Sequence, residues 1–130
     1  MFPGFTPRRL QVNGIHLHTL TGGAGPPLLL LHGYPQSHLI WHRVADELAR
    51  HYTVVITDLR GYGLSDKPPG QADHANYSKR TMAQDQVQAM RQLGFPSFFL
   101  CGHDRGARVS HRLAVDHPDA VKKLMLLDIS

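Results

Sequence analysis

The spacing of apolar and polar residues changes along the chain, and the first segment alternates between the two. On either side of Asn13-Gly14, residues 9–12 and 15–20 place apolar and polar side chains in turn. Such alternation is typical of a strand with one buried face. Asn-Gly favours a type I′ turn, because both of its central residues need a positive φ. The chain is therefore predicted to open with a β-hairpin.

Four short apolar runs after the hairpin predict buried strands. They lie at about residues 28–31, 52–57, 98–101 and 121–127. The segments between them have the spacing of helices, which we predict at about residues 38–50, 79–93 and 105–117. Ser37 and Ser78 are the expected caps of the first two helices, and Gly94 is the expected end of the second. The inner faces are predicted to carry Ile40, Val44 and Leu48 in the first helix and Ala83, Val87 and Met90 in the second.

Strands that alternate with helices predict an α/β fold. The strands form a parallel sheet and the helices cover both of its faces, with the hairpin placed in front. Hydrophobic residues make up 42% of the chain and charged residues 18%, which is usual for a globular protein. We expect residues 1–130 to belong to one domain.

The charged and metal-binding residue types exclude several function classes. The formal net charge is +4, but no Lys/Arg-rich block is present, so no nucleic-acid partner is expected. Ten histidines occur without an H-E-x-x-H spacing, and we predict neither a metal site nor a cofactor. Cys101 is the only cysteine, which rules out an internal disulfide and fits a reducing compartment. No signal peptide or membrane-spanning run is visible, and a cytoplasmic protein is expected.

Polar or glycine-rich clusters follow each of the predicted parallel strands, at the edge where α/β sheets collect their reactive groups. The clusters are His32-Gly33-Tyr34-Pro35, Asp58-Leu59-Arg60-Gly61-Tyr62-Gly63, Gly102-His103-Asp104-Arg105-Gly106 and Asp128. The third cluster has glycines on both sides of Asp104 and stands between a strand and a helix. This arrangement is typical of a nucleophile elbow that carries Asp in place of Ser. Asp104 is the predicted nucleophile.

An aspartate at the elbow indicates substitution at saturated carbon. A serine that displaced halide from carbon would become an ether, whereas a carboxylate becomes an ester that activated water can hydrolyse. That hydrolysis needs donors for an oxyanion. The backbone N–H of Arg105, directly after the nucleophile, is one predicted donor, and the backbone N–H of Tyr34 is the other.

Arg105 and Arg108 lie on one face of the helix that starts at the nucleophile. Two guanidinium groups beside Asp104 would lower its pKa and hold an anionic substrate. The spacing leaves a second interpretation open, in which these arginines pair with acidic neighbours as structural residues. Arg112 lies one turn further along the helix and is expected to be structural.

These motifs resemble the haloacetate (fluoroacetate) dehalogenases, which have the α/β-hydrolase fold. The resemblance covers Phe2-Pro3-Gly4-Phe5 and the strand-end clusters, and its most specific part is the order Asp104-Arg105-x-x-Arg108. It implies that Asp104 displaces halide while Arg105 and Arg108 bind the carboxylate of a small anionic haloacid. It also implies that Asp128 is the acid partner of a catalytic histidine.

The resemblance covers only the N-terminal part of such an enzyme. Complete family members are more than twice as long and add a helical cap and the catalytic histidine, so this chain alone is expected to be inactive. The longer parent protein, for which we consider a homodimer, is the expected enzyme. Epoxide hydrolases and haloalkane dehalogenases share the aspartate but usually carry Trp after it, where this chain has Arg105. They remain alternatives, as does a truncated module without catalytic function.

Overall fold

A computed structural model describes residues 2–70 and 75–128. It contains one six-stranded sheet with the strand order β1-β2-β4-β3-β5-β6. The strands are β1 (Thr6–Val12), β2 (Ile15–Gly23), β3 (Pro27–Leu31), β4 (Thr53–Thr57), β5 (Phe98–His103) and β6 (Val121–Leu127). β3 is parallel to β4 and β5, and β5 is parallel to β6. The prediction of a hairpin followed by a parallel sheet is confirmed.

The hairpin is part of the same sheet as the parallel strands. Asn13 and Gly14 have φ values of 49° and 80°, as the Asn-Gly turn requires. β2 pairs antiparallel with both β1 and β4, which makes the sheet mixed. β1 and β6 form its two edges.

Apolar residues on the central strands face both sides of the sheet. On β3, Leu29 and Leu31 belong to one core cluster, while Leu28 and Leu30 belong to another on the opposite face. The strands are apolar throughout because successive side chains point to opposite faces, and a layer of helices covers each face. One layer consists of α2 (Lys79–Gln92) and α3 (Arg105–Asp116), and the other contains α1 (Ala45–Ala49).

The second and third predicted helices are present at the expected places. The Ser78 side chain accepts a hydrogen bond from the Thr81 backbone N–H, and Gly94 has a φ of 94° just past the end of α2. Ala83, Val87 and Met90 are buried as predicted. No helix in residues 2–70 and 75–128 is both long enough and apolar enough to cross a membrane.

The prediction of the first helix was wrong about its length and about which residues are buried. A 3₁₀ turn (His38–Trp41) and the short α1 replace one continuous helix, although Ser37 does cap the turn. The Asp58 carboxylate accepts from both the backbone N–H and the ring of His38, and this tie holds the start of the segment in the tight turn. The buried residues are accordingly His38, Trp41 and Ala45. Ile40 and Leu48 are half-buried, and Val44 is exposed.

Candidate active site

Asp104 stands at a sharp turn between β5 and α3. Its backbone has φ 55° and ψ −114°, a conformation that residues with a side chain rarely adopt. The turn is tight enough to exclude side chains from its flanks. A Cβ on Gly102 would lie 2.3 Å from the Gly106 carbonyl oxygen, and one on Gly106 would lie 2.4 Å from that of His32. Both flanking positions therefore require glycine, and the chain turns sharply between strand and helix at Asp104.

Two backbone N–H groups hold the carboxylate of Asp104. The Tyr34 N–H donates to Oδ2 at 3.0 Å, and the Arg105 N–H also donates to the carboxylate. These bonds, the Tyr34 bond first, lower the pKa of Asp104 below its usual value. The two predicted oxyanion donors thus both bond to Asp104, the predicted nucleophile. Gly33 allows the approach, since a Cβ there would lie 2.4 Å from Cβ of Asp104.

His32 braces the turn that carries Tyr34. Its ring is fully buried, with Nδ1 2.8 Å from the Gly33 carbonyl oxygen, and Nε2 accepts from the Leu59 N–H at 2.9 Å. Burial lowers the pKa of His32, and a neutral ring that donates from Nδ1 satisfies both contacts. The ring therefore ties the turn after β3 to the loop after β4.

Among the described residues the Arg105 guanidinium forms no ion pair with Asp104 and contacts two tyrosines, although its charge contributes to the lowered pKa of Asp104. Its Nη1 donates to the hydroxyl of Tyr62 at 2.7 Å, and its guanidinium carbon lies 5.2 Å from the centre of the Tyr34 ring. The Tyr62 ring in turn makes edge contacts with the rings of His32 and Tyr34, with centroids 5.3 Å and 6.3 Å apart. The sequence places Tyr62 in the cluster that follows β4, but its contact with Arg105, 43 residues away along the chain, was not predicted.

Lys79 adds a third positive charge near Arg105 and Arg108. Lys79 is the first residue of α2 and is half-buried, whereas Arg108 is exposed on α3. Burial, followed by the charges of Arg105 and Arg108, lowers the pKa of Lys79. The starts of α2 and α3 thus bring three positively charged side chains close together. The sequence showed only that Lys79 follows the Ser78 cap, so its place in this group was not predicted.

Asp128 lies directly after β6, beside the elbow. The Asp104 N–H donates to the carbonyl oxygen of Leu127 at 2.9 Å, which fixes the end of β6 against the turn at Asp104. The Asp128 carboxylate is exposed and lies 2.9 Å from Nε2 of His103. His103 is therefore turned toward Asp128. Arg112 pairs with Asp116 on its own helix and is structural, as predicted.

Two buried polar clusters near the site are structural. His18, His38 and Asp58 lie close enough for a metal ion. The Asp58 carboxylate accepts from the backbone N–H groups of His38 and Leu64 and from the His38 ring, so hydrogen bonds within the protein use most of its acceptor sites and join the turn at His38 to the loop after β4. The second cluster is the ion pair of Arg60 and Asp85, with nitrogen–oxygen distances of 2.9 Å, which ties the loop after β4 to α2. Neither cluster was predicted from the sequence.

Comparison with known proteins agrees with this geometry. The α/β-hydrolase fold family matches residues 26–130. The chain is 57% identical to a fluoroacetate dehalogenase from Burkholderia sp and 40% identical to a soluble epoxide hydrolase from Corynebacterium sp. (strain C12). These matches cover 99% and 95% of the chain but only 42% of each relative.

Solved structures give the same result. A crystal structure of an α/β-hydrolase-fold protein from Nostoc sp PCC 7120 has a TM-score of 0.98 at 55% identity and covers all of this chain. The epoxide hydrolase VrEH1 from Vigna radiata has a TM-score of 0.89 at 32% identity and covers 97% of it. The chain spans 45% and 40% of these two structures. The chain belongs to the α/β-hydrolase fold family.

Proposed function

We propose that this chain is the nucleophile-bearing part of a hydrolase that cleaves the carbon–halogen bond of haloacids. The reaction converts a haloacetate and water into glycolate and halide. The observation that carries the proposal is Asp104 at the sharp turn, followed directly by Arg105, with Lys79 and Arg108 close enough to that arginine to interact with it. A carboxylate nucleophile suits displacement at saturated carbon, and the cations suit an anionic substrate. Identity to the fluoroacetate dehalogenase supports the same substrate class.

In the first step, an oxygen of the Asp104 carboxylate attacks the carbon that bears the halogen. The carbon–halogen bond breaks, its electron pair leaves with the halide, and an ester joins Asp104 to the acid. Arg105 and Arg108 bind the substrate carboxylate and hold its carbon in line with the attacking oxygen. The bonds from the Tyr34 and Arg105 N–H groups keep Asp104 ionised for this step.

In the second step, water attacks the carbonyl carbon of the ester and a base accepts its proton. The carbonyl oxygen becomes an oxyanion, which the Tyr34 and Arg105 N–H groups stabilise. Collapse of this intermediate breaks the bond between the Asp104 carbonyl carbon and the alkyl oxygen, the protonated base returns a proton to that oxygen, and glycolate leaves. The Asp104 carboxyl then loses the second proton of the water, which restores the carboxylate. We propose that the base is a histidine in a longer parent protein and that Asp128 orients it.

An epoxide hydrolase is the second candidate, because the 40%-identical relative from Corynebacterium sp. has that activity in its name. A carboxylate nucleophile serves both reactions equally. The cations separate the two candidates, since an epoxide is neutral and gains little from the positive charges of Lys79, Arg105 and Arg108.

The test is halide release by the full-length protein. We expect turnover of chloroacetate and loss of turnover in Asp104→Asn, because an amide cannot form the ester. Neutral chloroacetamide should react far more slowly, and Arg108→Ala should weaken transition-state binding of chloroacetate by about 1.5–3 kcal/mol per lost charged hydrogen bond. Equal rates for the charged and neutral substrates, or turnover of an epoxide instead, would contradict the proposal.

The 130-residue chain offers a separate check of the first step. Displacement needs only the nucleophile and the cations, whereas ester hydrolysis needs the base. Incubation with excess bromoacetate should add one carboxymethyl group, located on Asp104 by peptide mass spectrometry, without continued release of bromide. The Asp104→Asn chain is the control and should remain unmodified at this position.

A further inference from the structure

The arginine that follows the nucleophile could interfere with it. Arg105 is the neighbour of Asp104 in sequence, and a free guanidinium there could fold back and pair with the carboxylate. Such a pair would reduce the nucleophilicity of Asp104, and the Arg105 guanidinium would no longer be available to bind a substrate carboxylate. Among the described residues no ion pair joins Arg105 and Asp104, since the guanidinium contacts Tyr62 and Tyr34 instead.

We propose that Tyr62 is a positioning residue, whose hydroxyl holds Arg105 away from Asp104 and in place to bind a substrate carboxylate. The inference rests on the proposed function and deepens it, because it assigns the preference for acids partly to a residue that need not touch the substrate. The contact between Tyr62 and Arg105 is direct and is a charge-assisted hydrogen bond of 2.7 Å.

The phenol of Tyr62 is well placed to act as a fixed point. Its backbone is bonded at both groups, with its N–H donating to the Leu59 carbonyl oxygen and its carbonyl oxygen accepting from the Ser65 N–H. Its ring packs edge-on against the buried ring of His32, which is itself tied to two loops. Tyr62 can therefore hold the guanidinium at small entropic cost.

The hydrogen bond to the Tyr62 hydroxyl uses only one of the N–H donors of the Arg105 guanidinium. Arginine has five N–H donors, and the described contacts of Arg105 use one, on Nη1. The guanidinium carbon lies over the Tyr34 ring, a contact that uses none of the N–H donors in a conventional hydrogen bond. The donors on Nη2 and Nε thus stay available for a carboxylate, which prefers paired, parallel hydrogen bonds from arginine.

The test is Tyr62→Phe in the full-length protein, which removes the hydroxyl and keeps the ring. We expect KM for chloroacetate to rise about tenfold, equivalent to ~1.4 kcal/mol, with a much smaller change in kcat. Tyr77→Phe is the matched control, because the Tyr77 hydroxyl bonds to the Pro68 carbonyl oxygen and not to Arg105. It should leave KM unchanged.

A double-mutant cycle separates positioning from a general structural effect. In an Arg105→Ala background the Tyr62→Phe change should have no further effect on KM, because the group that Tyr62 holds is gone. An unchanged KM in Tyr62→Phe, or an equal rise in the Arg105→Ala background, would overturn the proposal.

A substrate-free measurement keeps this inference distinct from the proposed function. In ¹⁵N NMR spectra, the Arg105 guanidinium N–H protons should exchange slowly with water in the wild type and quickly in Tyr62→Phe. Slow exchange in both proteins would reject the positioning role even if haloacids are turned over. Fast exchange only in the variant would support the contact between Tyr62 and Arg105, whatever the activity. Absence of halide release by the wild-type protein would contradict the proposed function and leave the contact unaffected.

Discussion

The two faces of the sheet differ in how completely they are covered, although both are apolar. On the face under α2 and α3, Phe98 and Leu100 are 1% and 2% exposed. On the other face, the neighbouring Phe99 and Cys101 are only half-buried, and Met125 on β6 is 59% exposed. An open cavity of about 520 Å³ lies there, lined by residues of β3, β5, β6 and the α1 region.

The contacts that hold the turn at Asp104 therefore do not depend on how well each face of the sheet is packed. The elbow depends on backbone contacts among the turns after β3, β5 and β6, and all of these lie within the described residues. The open face contributes none of them. Within residues 2–70 and 75–128, the turn at Asp104 is therefore held in place although one side of the sheet is only partly covered.

Substitutions of Phe98 and Phe99 test whether the two faces of the sheet contribute unequally to stability. In the 130-residue chain we expect Phe98→Ala to lower the free energy of unfolding by about 3–5 kcal/mol, because it leaves a cavity in a closed core. Phe99→Ala should lower it by only about 1 kcal/mol, since the ring is already partly in water. Urea unfolding followed by circular dichroism measures both. Equal losses would mean that the open face is as well packed as the closed one.

Association of the 130-residue chain is the second expected consequence. β6 is an edge strand with unpaired backbone groups, and its exposed apolar side chains adjoin the open cavity. We expect oligomers in sedimentation velocity, and Met125→Glu should shift the distribution toward monomer. Val115→Glu is the matched control, because Val115 is 57% exposed on α3 at the covered face. If both substitutions act alike, the open face is not the site of association.

The smallest effect concerns pH. Burial lowers the pKa of His32 and of His18 from 6.5, so the folded chain binds fewer protons than the unfolded chain. Their contribution to stability is complete above about pH 6.5 and is lost as the pH falls toward the lowered pKa values. His32→Gln should reduce this loss by ~1.4 kcal/mol for each unit by which the pKa is lowered.

Unfolding midpoints in urea at a series of pH values between neutral and mildly acidic measure the slope. His51→Gln, which alters an exposed histidine, is the control and should leave the slope unchanged. A slope in the His32→Gln chain as steep as that of the wild type would assign the acid sensitivity to other groups.

Parts of the fold and site were predictable because their causes are local. Asn13-Gly14 specifies its turn through the φ angles of two residues, and the Gly102-x-Asp104-x-Gly106 spacing marks a turn that only small flanks permit. The helix predicted from Ser37 shows the limit. Its periodicity was consistent with a full helix, but a hydrogen bond from His38 to Asp58, 20 residues away, decided the actual geometry.

The sequence by itself determined the order of strands and helices, the elbow at Asp104 and the positions of the two arginines beside it. Each of these follows from residues close together in the chain, whose spacing and backbone preferences can be read directly. Only the tertiary structure decided that Tyr62 holds Arg105, that Lys79 joins the cations and that His103 faces Asp128. These contacts join residues 25 or more positions apart, and the path of the chain between them, rather than any local preference, sets which side chains meet.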